Sequence, residues 1–391
     1  MLYLQDMQVF GKRVLMRVDF NVPLDPAGLI VDDTRIKETL PSIRYLLDHG
    51  AAVILLSHLG RPKGKKNEAL SLRPCAVRLQ ALLAKPVRFV EDFEKMMPPV
   101  PGEVVLLENM RFYPAEEAPE KDPSFAERLA LLGDLYVNDA FGTVHRRHSS
   151  TADIARFFKG ACAAGLLMEK EIKNLSCLLH NPPSPFYAII GGSKVSGKLG
   201  VLRELVKRAD GLFIGGAMAY TFLAAQGIPI GDSPCEKELF EEALTLIRLC
   251  KKLYLPEDIV VADAFRVDAE HKVVSSFEGI APGWQGVDIG PKTVDVWKGA
   301  MQDAQLVFWN GPVGVYEMPP FAKGTEAVAH MLSQLSCHKI VGGGDSVAAI
   351  HALHLESHFS HLSTGGGAAL EYIEKQGALP GLLALEAASQ T

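Results

Sequence analysis

The chain has 391 residues, 48% of them hydrophobic, with 40 Lys and Arg against 46 Asp and Glu for a net charge of −6. That length exceeds what one core usually holds and predicts two domains, and the acidic balance leaves no basic excess for nucleic acid or an anionic membrane. No apolar run approaches the ~20 residues of a transmembrane helix, the N-terminus carries no basic leader, and six cysteines without a C-x-x-C pair suit reduced thiols, so a cytoplasmic enzyme is expected.

Residues 14–18 read as a strand, and Pro23 ends its pairing because proline cannot donate to a ladder. Arg17, Asp19 and Asn21 then stand where the strand ends of an α/β domain bind small ligands. A helix follows, with Thr34 as its expected N-cap, Arg35 in its first turn and an end near Gly50. The pattern of apolar run and polar cluster then repeats. Residues 52–56 lead into Ser57-His58-Leu59-Gly60-Arg61-Pro62, residues 104–107 into Glu108-Asn109-Met110-Arg111-Phe112, and residues 135–137 into a stretch ending His145-Arg146-Arg147-His148. In one parallel sheet these strand ends point the same way, so the cations converge. Guanidinium forks match carboxylate and phosphate oxygens, which predicts a small acidic ligand carrying phosphate. Any one of these arginines alone would be a surface residue; the repetition carries the argument.

Residues 165–179 have helical spacing of apolar residues, Asn181-Pro182-Pro183-Ser184-Pro185 stops them, and a strand at 186–190 follows. The domain boundary is placed on this helix, which divides the chain into residues 1–168 and 169–377. The second half is rich in glycine at strand-to-helix turns. Residues 192–198 match G-x-x-x-x-G-K, but Leu199 stands where a P-loop needs Ser or Thr for Mg²⁺, so the metal requires another ligand. Gly342-Gly343-Gly344-Asp345-Ser346 and Ser363-Thr364-Gly365-Gly366-Gly367 are turns whose amides and following helix reach phosphates. Together with Lys194 and Lys198 they read as a nucleotide site, with Asp345 as metal ligand, as N-cap, or as both. His351, His354, His358 and His361 would form a metal site only if one helix carried them all, and the chain is expected to leave the helix before His358.

Taken together, the motifs resemble phosphoglycerate kinase of the bacterial type, over practically the whole chain. The segments that carry the resemblance are Arg17-Val18-Asp19-Phe20-Asn21-Val22-Pro23, Ser57-His58-Leu59-Gly60-Arg61-Pro62, Glu108-Asn109-Met110-Arg111-Phe112, Asn138-Asp139-Ala140-Phe141-Gly142-Thr143, Gly192-Ser193-Lys194-Val195, Asp288-Ile289-Gly290-Pro291-Lys292-Thr293, Trp309-Asn310-Gly311-Pro312-Val313-Gly314 and Gly342-Gly343-Gly344-Asp345. The resemblance implies two Rossmann-like three-layer α/β/α domains with parallel sheets, joined by a connecting helix, with the tail 378–391 returning to the first. It implies reversible phosphoryl transfer between 1,3-bisphosphoglycerate and ADP, giving 3-phosphoglycerate and ATP, by a monomer that closes around its ligands.

By the same resemblance Asp19, Asn21, Arg35, His58, Arg61, Arg111 and Arg146 hold phosphoglycerate, with Arg147 the alternative to Arg146. Lys194, Lys198, Asn310, Glu317 and Gly342, Gly343, Gly344, Asp345 and Ser346 match the nucleotide positions, with Mg²⁺ on Asp345, and Arg35 and Lys194 are the expected catalytic cations. Direct in-line transfer is favoured over a phosphohistidine at His58 or His148. A dinucleotide-dependent dehydrogenase, the main rival, lacks its G-x-G-x-x-G with an acid about twenty residues on. An inactive relative would be expected to have lost Arg35, Lys194 or Asp345, and all three are present.

Overall fold

The computed structural model describes residues 1–390, so residue 391 of the expected returning tail lies outside the described residues. The chain divides into two compact units, the first made of Met1–Lys173 with the segment from Gly377 onward, the second of Asn174–Gln376.

Six strands build the first unit: β1 (Arg13–Arg17), β2 (Ala52–Leu56), β3 (Val87–Val90), β4 (Val104–Leu107), β5 (Leu135–Asn138) and β6 (Cys162–Ala164). They form one parallel sheet in the order β3-β4-β2-β1-β5-β6. Every residue of β2 and β4 is buried, which is why these strands are unbroken apolar runs rather than alternating ones: helices cover both faces of the sheet. The order reverses at β1, between β2 and β5, so the crevice beyond their carboxyl ends is the expected ligand position. The helix Thr34–Asp48 begins with Asp33 at its N-cap position, one residue before the expected Thr34. Asp32 accepts from the amide and hydroxyl of Thr34 at 2.8 and 2.6 Å, which makes Thr34 the first helical residue. The C-terminal helix Pro380–Ser389 lies on this unit: Gly381 donates to the Val144 carbonyl at 2.9 Å and Gly160 to that of Ala388 at 2.7 Å.

The second unit has β7 (Phe186–Ile190), β8 (Gly211–Ile214), β9 (Leu253–Tyr254), β10 (Asp258–Ala262), β11 (His271–Ser275), β12 (Gln285–Ile289), β13 (Leu306–Asn310), β14 (His338–Gly342) and β15 (His361–Leu362). Six of them make a parallel sheet, β15-β14-β13-β7-β8-β9, around a core that includes Trp297, Trp309 and Phe213. The other three, β11-β10-β12, form an antiparallel sheet that a reading of parallel sheets alone did not include. Its outer strand β11 is largely exposed and carries His271 and Lys272, so it lacks the apolar signature that marked the buried strands. The division between the units falls inside the helix Leu166–Ser176, which is shorter than 165–179 because the chain tightens into turns at Leu178 and Leu179.

Candidate functional site

In the first unit the polar clusters after β1, β2 and β4 come together with that after β5. Arg17, the last residue of β1, is completely buried. Its Nε donates to Ser150 Oγ at 2.8 Å, and Glu116, which accepts the Ser150 amide and hydroxyl at 3.0 and 2.6 Å, lies 3.9 Å from the guanidinium. A second guanidinium nitrogen of Arg17 stands 3.3 Å from His58 Nδ1. A guanidinium only donates, so His58 Nδ1 accepts and the proton sits on Nε2. Burial, reinforced by Arg17, Arg111 and Arg35, holds the His58 pKa well below its ordinary value, and the ring is neutral. His148 follows the same logic, pushed down to about 3 by burial and by Arg111 and Arg17.

Around these two imidazoles stand Asp19, Arg35 and Arg111, and Arg146 adds its charge. Asp19 pairs with Arg35 and lies 3.8 Å from His58 Nδ1. Asn21 Oδ1 accepts from the Gly60 amide at 2.9 Å, and Arg111 donates to the Gly60 carbonyl at 2.8 Å, so the loop after β2 is fastened from both sides. Arg111 is 4% exposed, and its pKa is lowered by burial and by the charges of Arg17 and Arg146 against the opposing pull of Glu117. Arg61 is exposed. The two adjacent arginines separate: the charge of Arg146 acts on Arg111 and on neutral His148, lowering both pKa values, whereas Arg147 turns to Asp153 at 3.0 Å. The cluster therefore gathers cations and neutral imidazole donors, a set that matches an anion with several oxygens. Glu116 and Ser150, which anchor Arg17, were not in the sequence reading; nothing local marks them, because they reach Arg17 from more than ninety positions away.

The second unit brings together the turns after β7, β13 and β14, three adjacent strands. Lys198 Nζ donates to Gly191 O and Asn310 Oδ1, both at 2.6 Å. Burial lowers its pKa to about 8, with Asp345 pulling it back up. Asn310 is 2% exposed, and its Nδ2, a buried donor without a partner, faces Gly343, where a Cβ would lie 3.0 Å away. Gly343, at φ 95°, is the N-cap of the helix Gly344–Ala352, so Asp345 is not its cap but an exposed carboxylate in its first turn. Ser346 is buried and accepts the Gly311 amide at 2.7 Å, which holds the turns after β13 and β14 together. Lys194 and Glu317 are exposed. Glu236, absent from the sequence reading, accepts the Val195 and Ser196 amides at 2.6 and 3.1 Å and ties the loop that carries Lys194. The four histidines do not share a helical face: the helix ends at Ala352, His351 bonds Glu356 at 2.8 Å, and His361 is buried on β15.

The family model for phosphoglycerate kinase matches residues 4–376. The chain belongs to the phosphoglycerate kinase family. A phosphoglycerate kinase of Moorella thermoacetica is 50% identical over 396 residues, covering 98% of each chain. Among solved structures, phosphoglycerate kinase from Coxiella burnetii superposes with a TM-score of 0.90 at 38% identity and full coverage of both chains, and that from Pyrococcus horikoshii with 0.86 at 32% identity and 99% coverage. The activity is that of the family: phosphoryl transfer between 1,3-bisphosphoglycerate and ADP, giving 3-phosphoglycerate and ATP, in glycolysis and gluconeogenesis. Among the described residues no helix is long and apolar enough to cross a membrane.

Proposed function

We propose that the first unit holds the phosphoglycerate and the second the nucleotide. In the first, Arg35, Arg61, Arg111 and Arg146 bind carboxylate and phosphate oxygens, and Asp19 and Asn21 orient the cluster. His58 donates from Nε2 as a neutral group. In the second, Lys194, Lys198 and the turn Gly342–Ser346 hold the phosphates, while Asn310 donates from its unpartnered Nδ2 and Glu317 binds the rest of the nucleotide. The observation that carries the second assignment is that orphaned Asn310 donor beside Lys198 at a glycine turn, since a buried donor left without an acceptor costs about 1–3 kcal/mol and a phosphate oxygen would relieve it.

Magnesium suits this donor set, because Mg²⁺ is commonly held by one or two carboxylates plus substrate phosphates and Asp345 is an exposed carboxylate at the same turn. When bound, the ion offsets charge on the phosphate oxygens. Arg35 and Lys194 neutralise the charge that builds on the transferring oxygens, and transfer between their ligands is direct and in line. Because the ligands occupy different units, both must be bound before the protein closes and excludes water. The enzyme is a cytoplasmic monomer whose partners are its small-molecule substrates.

Equilibrium titration tests the assignment. Arg61→Ala is expected to weaken 3-phosphoglycerate binding about tenfold or more and leave ADP unchanged, and Asn310→Ala to do the reverse. Loss of the opposite ligand in either variant would overturn it.

A further inference from the structure

Asp288, in β12, is a buried carboxylate that neither ligand set uses; it is 2% exposed. Its Oδ2 accepts the Gly324 amide at 2.7 Å and its Oδ1 the Ile289 amide at 2.9 Å. Gly324 lies in the first turn of the helix Lys323–Ser333, directly after the segment 311–322 that carries Glu317. The start of that segment is pressed on the same acid. A Cβ at Gly314 would fall 2.0 Å from Oδ1, and one at Gly324 would fall 2.2 Å from it, so both positions accept only glycine. Beside them Val315 donates to the Val287 carbonyl at 2.8 Å. The segment is thus fastened to β12 near both its ends.

We propose that Asp288 is a positioning residue for the nucleotide site: its carboxylate clamps segment 311–322 between β12 and the N-terminus of the helix Lys323–Ser333, and so fixes where Glu317 stands. The inference rests on the reading of Glu317 as a nucleotide contact. An ionised carboxylate accepts from a helix N-terminal amide more strongly than a neutral acid does, so protonation slackens the clamp. Burial, with Glu326 on the same helix, pushes the Asp288 pKa up to about 7, which places the change in the neutral range. Tyr220, from the helix Met218–Ala225, also faces it, and its pKa is raised by burial and by Asp288. Tyr316 in the clamped segment faces Glu326, and across the antiparallel sheet the partner of Asp288 is apolar Val260.

The sign of the pH effect separates positioning from mere support. Because burial sets the folded pKa above the ordinary carboxyl value, this group's contribution to stability is lost as pH rises through about 7. The clamp tightens over the same range. Nucleotide affinity and stability therefore move in opposite directions.

The test is calorimetric titration of ADP and of 3-phosphoglycerate, with thermal unfolding, on the parent and Asp288→Asn between pH 6 and 8.5. Asparagine keeps one acceptor oxygen and never carries the charge, so it removes the ionised clamp at every pH, and the ionisation of ADP itself cancels in the ratio of the two proteins. The expected result is ADP bound about tenfold more weakly by the variant at pH 8.5, a ratio that falls as pH drops to 6, and unchanged 3-phosphoglycerate affinity. Glu326→Gln should move the parent's ADP midpoint to lower pH, and if Asp288→Asn does not fold, that shift decides alone. A ratio of one at pH 8.5, an equal fall in 3-phosphoglycerate affinity, or an unmoved midpoint overturns the proposal. Glu317→Ala tells which step failed: weak ADP binding there with normal binding in Asp288→Asn refutes the clamp alone, whereas normal binding in both refutes the nucleotide role of the segment and the clamp with it.

Discussion

Lys198 offers a quantitative check on the nucleotide site. Its ammonium is enclosed by Gly191 O and Asn310 Oδ1, and burial brings its pKa from 10.5 to about 8. A depressed base favours the neutral form, so the stability it contributes is present above the unfolded pKa and lost as pH falls through about 8. The shift amounts to about 3 kcal/mol against the charged form. A phosphate oxygen about 3 Å away, at an effective dielectric constant of about 20, supplies roughly 5 kcal/mol in the other direction and restores an ordinary lysine. Nucleotide binding must then take up protons. The uptake is about 0.1 proton at pH 7, about 0.5 at pH 8 and about 0.9 at pH 9, from the difference between half-titration at about 8 and at about 10.5. Calorimetry of ADP binding in two buffers of different ionisation enthalpy measures this directly, and Lys198→Met should abolish it. An uptake that does not rise between pH 7 and pH 9, or one that survives in Lys198→Met, would refute the placement of a phosphate at this lysine.

Three further outcomes are expected. Arg35→Ala should lower turnover on the order of a hundredfold or more while leaving ADP affinity unchanged in titration, since one transition-state cation is lost from the other unit. Asp345→Asn should keep the helix, whose N-cap is Gly343, yet raise the magnesium concentration needed for half-maximal rate; an unchanged magnesium curve would place the metal elsewhere. Gly142→Ala puts a methyl 2.3 Å from Asp19 Oδ2 and 3.4 Å from Arg35, so steady-state kinetics should show a raised KM for 3-phosphoglycerate with that for ATP unchanged.

By itself the sequence determined the alternation of strands and helices, the buried strands and the family, because these depend on local patterning. Residues 52–56, 104–107 and 186–190 are strands as read, since a run buried on both faces is apolar throughout. The gathering of His58 and Arg111 was legible for a related reason: they belong to motifs at the ends of parallel strands, which point the same way. Tertiary structure alone decided what depends on distant partners. Asp153 draws Arg147 away from the cluster to which Arg146 contributes its charge. Arg17 is held by Ser150, 133 positions away, and that contact helps give His58 its tautomer. The caps at Asp33 and Gly343 displaced the expected Thr34 and Asp345 because helix starts follow backbone geometry as well as side-chain preference. The titrations of Lys198 and Asp288 could not be read from composition, since desolvation is set by everything packed around a charge and by nothing in its immediate sequence.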